Sequence, residues 1–81
     1  MEIRIFFLGP ARDFSGVGTA TLGVSDGTTA ASVRAVIAAK FPRISAALPT
    51  MRIAVNQSFV SDEYKLQLGD EVALIPPVSG G

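Results

Sequence analysis

Cysteine and histidine are both missing from this chain of 81 residues. Without a thiol or an imidazole there is no disulfide framework, no thiolate ligand, no Ser-His or Cys-His nucleophile and none of the usual zinc sites. An excess of charge is missing too. Seven basic and seven acidic residues stand scattered and sum to zero, so no basic run is available to neutralise phosphates. That argues against nucleic acid as a partner. No apolar run approaches the ~20 residues that span a bilayer, and Met1-Glu2-Ile3-Arg4 has none of the features of a signal peptide. The expectation is a soluble, cytoplasmic protein with no membrane partner. Gly9, Gly16 and Gly18 fall outside any phosphate-loop motif, the carboxylates form no metal-loop pattern, and no internal repeat is visible. These gaps make the chain a poor enzyme on its own.

What is present is globular. An apolar fraction of 48% with 17% charge is enough to build a core, and the length allows a single domain. Residues 2–8 alternate in the manner of a strand, with Ile3, Ile5 and Phe7 on one face and Arg4, Phe6 and Leu8 on the other. Gly9-Pro10 breaks that strand, and residues 11–15 suit one helical turn before Gly16, within which Arg12 and Asp13 either pair or cap the turn. Thr19 to Val24 is rich in β-formers and reads as a returning strand.

Thr29 is the best N-cap for a helix, with Ser32 at the third helical position. Ala30, Val33, Val36, Ile37 and Phe41 then recur at helical spacing as one core stripe, and Pro42 ends the helix. A short helical turn is expected within 44–48 and a strand over 51–55. Asn56-Gln57 has turn chemistry, residues 58–60 return as a short strand, and Lys65-Leu66 pairs briefly. Residues 71–75 form the last strand. Strand, strand, helix, strand, short strand, strand is an α+β order, and one main helix leaves one sheet face open.

The last strand runs into Pro76-Pro77-Val78-Ser79-Gly80-Gly81. Two prolines stop the ladder near Ile75, and Ser-Gly-Gly favours no regular structure. The expected division is a domain over 1–76 and a flexible arm over 77–81, about 17 Å long when extended at ~3.4 Å per residue. Gly80 and Gly81 carry no side chain to obstruct a narrow passage. The reactive group of such an end is the carboxylate of Gly81, a poor electrophile until something activates it. Composition by itself leaves a merely frayed end open.

The chain resembles the small, sulfur-carrying subunits of molybdopterin synthase, which are ubiquitin-like β-grasp proteins. Three stretches carry the resemblance: Phe7 to Gly16, Val55-Asn56-Gln57, and Leu68 through Gly81. It implies a mixed sheet with one main helix packed on one face. It also implies a cycle centred on Gly81. A partner ATP-dependent adenylyltransferase turns the carboxylate into an acyl-adenylate, and a sulfurtransferase supplies sulfur to give a thiocarboxylate. The tail then enters the large synthase subunit, in a heterotetramer of two small and two large subunits, and gives its sulfur to cyclic pyranopterin monophosphate. In that cycle Gly81 is the carrier, Gly80 gives clearance, catalytic groups sit on the large subunit, and ATP is used by the activating partner with no cofactor bound here. The alternatives with the same ending are a carrier for thiazole or thio-tRNA synthesis and a ubiquitin-like modifier of proteins.

In a β-grasp sheet the first and last strands are neighbours. With Val72 and Leu74 turned inward, Ala73 and Ile75 turn outward beside Phe6 and Leu8. These four, with Pro76, Pro77, Val78 and Ser79, are the expected partner-binding residues, and Arg4 and Arg52 are the expected polar rim.

Overall fold

The computed structural model describes residues 1–77. Residues 78–81, which include the expected carrier Gly81, its neighbour Gly80, and Val78 and Ser79, lie outside the described residues, and with them most of the expected arm.

Seven main elements follow the expected order: β1 (Glu2–Phe7), α1 (Pro10–Ser15), β2 (Thr19–Gly23), α2 (Ala30–Lys40), β3 (Arg52–Val55), β4 (Ser58–Phe59) and β5 (Glu71–Ile75). The strands form one sheet in the order β2-β1-β5-β3-β4, with β1 and β5 parallel and the other pairs antiparallel. The last strand therefore inserts beside the first, in the centre of the sheet. Leu8 was expected in β1 but falls outside it, because the chain turns at Gly9, whose φ of 52° favours a residue with no Cβ. Val24, Met51 and Val60 likewise fall just outside the strands expected to hold them.

The helix begins where side-chain chemistry allows it. The Ser32 amide donates to Thr29 Oγ1 at 3.2 Å, and the Thr29 amide donates to Ser32 Oγ at 2.8 Å. Serine thus completes the reciprocal cap that glutamate or glutamine more often makes. Ala30, Val33 and Ile37 are buried against the sheet, and Phe41 meets Phe7 edge-on with ring centroids 5.0 Å apart. Val36 is only half-buried at the edge of the stripe.

Between α2 and β3 the expected turn of helix is replaced by two short 3-10 turns, Pro42–Ile44 and Leu48–Thr50. Prolines at the start of each forbid a continuous α-helix there. The sequence reading missed what anchors this segment: Arg34 of α2 donates to the carbonyls of Leu48 at 2.6 Å and Met51 at 2.8 Å. Ile44, Leu48 and Met51 are thereby held in the core. Lys65 forms the expected brief pairing, as a bridge to Thr29. Among the described residues, no helix is long and apolar enough to cross a membrane.

Candidate functional site

Alternation sets the two faces of the sheet. Ile3, Ile5, Phe7, Val72 and Leu74 are at most 2% exposed and pack under α2. One residue out of phase, Phe6, Ala73 and Ile75 point to the open face and are half-buried, while Leu8 is 44% exposed. Phe6 pairs directly with Ala73 in the parallel β1–β5 ladder. The structure thus brings Phe6, Leu8 and Ala73 together, and they line a concavity of about 190 Å³ with Gln57 and Glu71. Ile75 stands one step farther along β5, opposite Arg52 of β3. Pro76 is half-buried and Pro77 is exposed, so the chain leaves the open face at the Ile75 end of β5. Gly9 lies at the same end: a Cβ added there would sit 3.6 Å from Pro76 Cγ.

Gln57 and Glu71 were not anticipated as part of this site. Both are placed by the Asn56-Gln57 turn, whose two residues have φ of 50° and 71°. Left-handed geometry at both positions matches the twist of a two-residue hairpin and sets Val55 opposite Ser58 and Ala54 opposite Phe59. The turn is clamped to the start of β5. The Asn56 amide donates to the Glu71 carbonyl at 2.8 Å, and the Glu71 amide donates to Asn56 Oδ1 at 3.0 Å.

Beneath that clamp lies Asp70, only 6% exposed. Its carboxylate accepts from Asn56 Nδ2 at 3.0 Å, the Gln67 amide at 2.8 Å and the Tyr64 hydroxyl at 3.3 Å. Desolvation first, then the charge and hydrogen bond of Asp70, hold the Tyr64 hydroxyl above its ordinary titration range. The Leu68-Gly69-Asp70-Glu71 stretch suggested only a turn. The pairing of Asp70 with Asn56 and Tyr64 joins segments 14 and 6 residues away, beyond any local signal.

Both expected rim arginines lie on the open face. Arg4 meets Glu71 at 3.5 Å and lies 5.2 Å from the Phe6 ring centroid. Arg52 lies 3.6 Å from the ring centroid of Phe59, which is 52% exposed. Ala54 is also on this face, yet it is 4% exposed and outside the main core cluster. Its methyl sits low between Ala73 and Phe59, its ladder neighbours. Phe59 is the contact that sequence reasoning missed, although the two-residue turn implied its register. Arg12 and Asp13 do not pair; among the described residues the ion pair is Arg4–Glu71. It is the backbone carbonyl of Arg12 that closes the turn, accepting from the Gly16 amide.

A larger hollow of about 400 Å³ opens at the other end of β1, lined by Met1, Asp26, Gly27, Lys65 and residues 66–68. It is remote from the root of the tail. The open face carries no nucleophile–base pair among its described residues. Its chemistry is that of a docking surface: apolar at the centre, with charge at the margin.

Residues 5–81 match the model of the ThiS family. The molybdopterin synthase sulfur carrier subunit of Chlamydomonas reinhardtii is 36% identical over 83 residues, an alignment covering 100% of both chains. That of Escherichia coli K12 is 38% identical over 81 residues, covering 98% of this chain and 99% of the relative. Among solved structures, SAMP1 from Haloferax volcanii superposes with a TM-score of 0.91 at 19% identity, covering all of both chains. A chain of the protein–protein complex of subunits 1 and 2 of the molybdopterin-converting factor from Helicobacter pylori gives 0.74 at 24% identity, again over all of both chains. At these identities the structural likeness establishes the fold, which is the ubiquitin-like β-grasp.

Proposed function

The chain belongs to the ThiS family, and from that premise we propose that it serves a molybdopterin synthase as its sulfur carrier subunit. The observation that carries this reading is the full-length match to molybdopterin synthase sulfur carrier subunits from an alga and a bacterium. The geometry agrees with it. A central strand flanked by an apolar, half-open face delivers the chain into Pro76-Pro77 and onward to Gly80-Gly81.

On this reading the Gly81 carboxylate attacks the α-phosphorus of ATP on an adenylyltransferase, releasing pyrophosphate and leaving an acyl-adenylate. The outer sulfur of a sulfurtransferase persulfide then displaces AMP to give an acyl disulfide, and a thiol reductant cleaves its S–S bond so that the tail ends in a thiocarboxylate. The sulfur acceptor is cyclic pyranopterin monophosphate, held on the large subunit. That the Helicobacter pylori neighbour stands in a two-subunit complex supports such a partner. A narrow passage into a partner admits glycine more readily than any other residue, because glycine adds no Cβ. The open face around Phe6, Leu8, Ala73 and Ile75 docks the large subunit while the tail reaches its pocket.

The test is the intact mass of the chain after incubation with ATP, the activating enzyme and a sulfur source. A gain of about 16 Da, sulfur for oxygen, is expected. Deletion of Gly81 is expected to abolish both the gain and sulfur transfer. The deletion should leave thermal stability unchanged, because the core cluster runs from Ile3 to Leu74 and ends well before the deletion. Full transfer activity without Gly81 would refute the reading. An isopeptide bond from Gly81 to a lysine, recovered in place of the thiocarboxylate, would favour a protein modifier.

A further inference from the structure

We infer that the Arg52–Phe59 pair is a receptor for one carboxylate side chain, an aspartate or glutamate, on the large partner subunit, and that this contact helps set which partner the chain accepts. The inference rests on the docking reading above and adds to it a named chemistry at a named place.

Two arginines flank β5 on the open face, and their circumstances differ. Arg4 lies opposite Glu71 in the ladder and has that residue's carboxylate at 3.5 Å. The chain supplies its own counter-charge there. Arg52 lies at the other end of β5, opposite Ile75, where the chain departs toward its tail. Among the described residues no carboxylate reaches Arg52. Glu2, the remaining acid of this face on β1, lies beyond Arg4 at the far end of the strand.

The guanidinium of Arg52 is nonetheless held in place, by its stack on Phe59 with 3.6 Å from the Arg52 Cζ to the ring centroid. Stacking uses one flat side of the guanidinium and leaves the N–H groups around its edge free. Those edge donors form the fork that matches a carboxylate through two parallel hydrogen bonds. Because the side chain is already ordered against the ring, less rotamer freedom is lost when the fork is engaged.

Burial then dictates the charge of the occupant. Phe59 is 52% exposed and continues the apolar area formed by Phe6, Ala73 and Ile75 across Ala54. A partner that covers Phe59 also strips water from the guanidinium stacked on it. A desolvated cation without an anion is strongly unfavourable, so an apolar lid without a carboxylate is penalised and one carrying a carboxylate is favoured. The same asymmetry gives discrimination between partners, since a surface lacking the acid pays the penalty in full.

Titration calorimetry of the full chain with its large subunit tests this, using Arg52→Gln, Arg52→Lys and Phe6→Ala. Arg52→Gln is expected to weaken binding about tenfold or more and to flatten its salt dependence, with an unchanged unfolding midpoint. Arg52→Lys, which keeps the charge and loses the fork, is expected to recover part of the loss. If Phe6→Ala weakens the complex and Arg52→Gln binds as wild type, the carboxylate receptor is refuted and the docking reading stands. If neither substitution weakens binding, the docking reading fails and the receptor with it. Wild-type binding by Arg52→Lys would refute the fork, because a point charge would then suffice. The Arg52 Nε–Hε resonance of the free chain supplies the remaining check. If it shifts when residues 78–81 are removed, the occupant is the chain's own tail and the inference is overturned.

Discussion

Tyr64 shows how a single hydroxyl ties loop chemistry to stability. It donates to the Asp70 carboxylate at 3.3 Å, and desolvation followed by that carboxylate raises its titration range. Below the ordinary tyrosine value of about 10, folded and unfolded chains both hold the proton and the contribution is fully present. Above it the unfolded chain releases the proton first, so stability falls as pH rises through the folded value. Wild type is therefore expected to lose stability more steeply than Tyr64→Phe above about pH 10, as read from denaturant midpoints at a series of pH values. Parallel slopes would show that the hydroxyl is not linked to folding. Gln57 poses the opposite case, a residue with a Cβ held at φ 71° where asparagine or glycine is the usual choice. Its side chain lines the concavity beside Phe6 and Leu8, which gives the strained position a role at the docking face.

At the scale of elements, the start of β5 depends on contacts from outside the strand. Asp70 fastens the β3–β4 turn through Asn56 and the 61–67 loop through Tyr64 and the Gln67 amide. Replacing it by alanine leaves the Asn56 amide and the Gln67 N–H without an acceptor in a part-buried place. Asp70→Ala is expected to lower unfolding free energy by about 2–3 kcal/mol, measured by urea denaturation. Asp70→Asn, which keeps one of the two acceptor oxygens, should cost less. A loss equal to that of alanine would mean that the clamp needs both carboxylate oxygens as acceptors. The helix start combines both kinds of support: Thr29 and Ser32 cap each other within one turn, while the Ala30 and Ala31 amides donate to the Tyr64 and Asp62 carbonyls at 2.9 and 3.0 Å.

The whole molecule is asymmetric about its sheet, with α2 and the 3-10 turns on one side and the candidate docking face on the other. Adjacent residues of β1 therefore belong to different tasks. Phe7 is 2% exposed beside Phe41, whereas Phe6 lines the open concavity. Phe7→Ala is expected to cost about 3–5 kcal/mol of stability. Phe6→Ala should cost the isolated fold far less while weakening large-subunit binding by about 1–3 kcal/mol. Denaturation midpoints and binding isotherms for the two variants decide the matter, and a reversed pattern would invert the assignment of faces.

Local chemistry was enough to place much of this molecule. Alternation assigned Ile3, Ile5, Phe7, Val72 and Leu74 to the core because successive strand residues must point to opposite faces. Pro42 and Thr29 bounded the helix because capping and the missing proline N–H act within a single turn. The diglycine and the two prolines before it are composition, legible without any fold. The tertiary structure decided what depends on neighbours distant in sequence. Asp70 acquired its partners only when β5 was inserted beside β1 and against the β3–β4 hairpin. Arg34 became the anchor of the connecting segment only because α2 packs beside it. Arg4 and Arg52 look alike in sequence, as single charges within apolar strands. Strand order alone set one against a glutamate and the other on an exposed ring at the root of the tail, since lateral pairing is a property of the sheet and not of either strand.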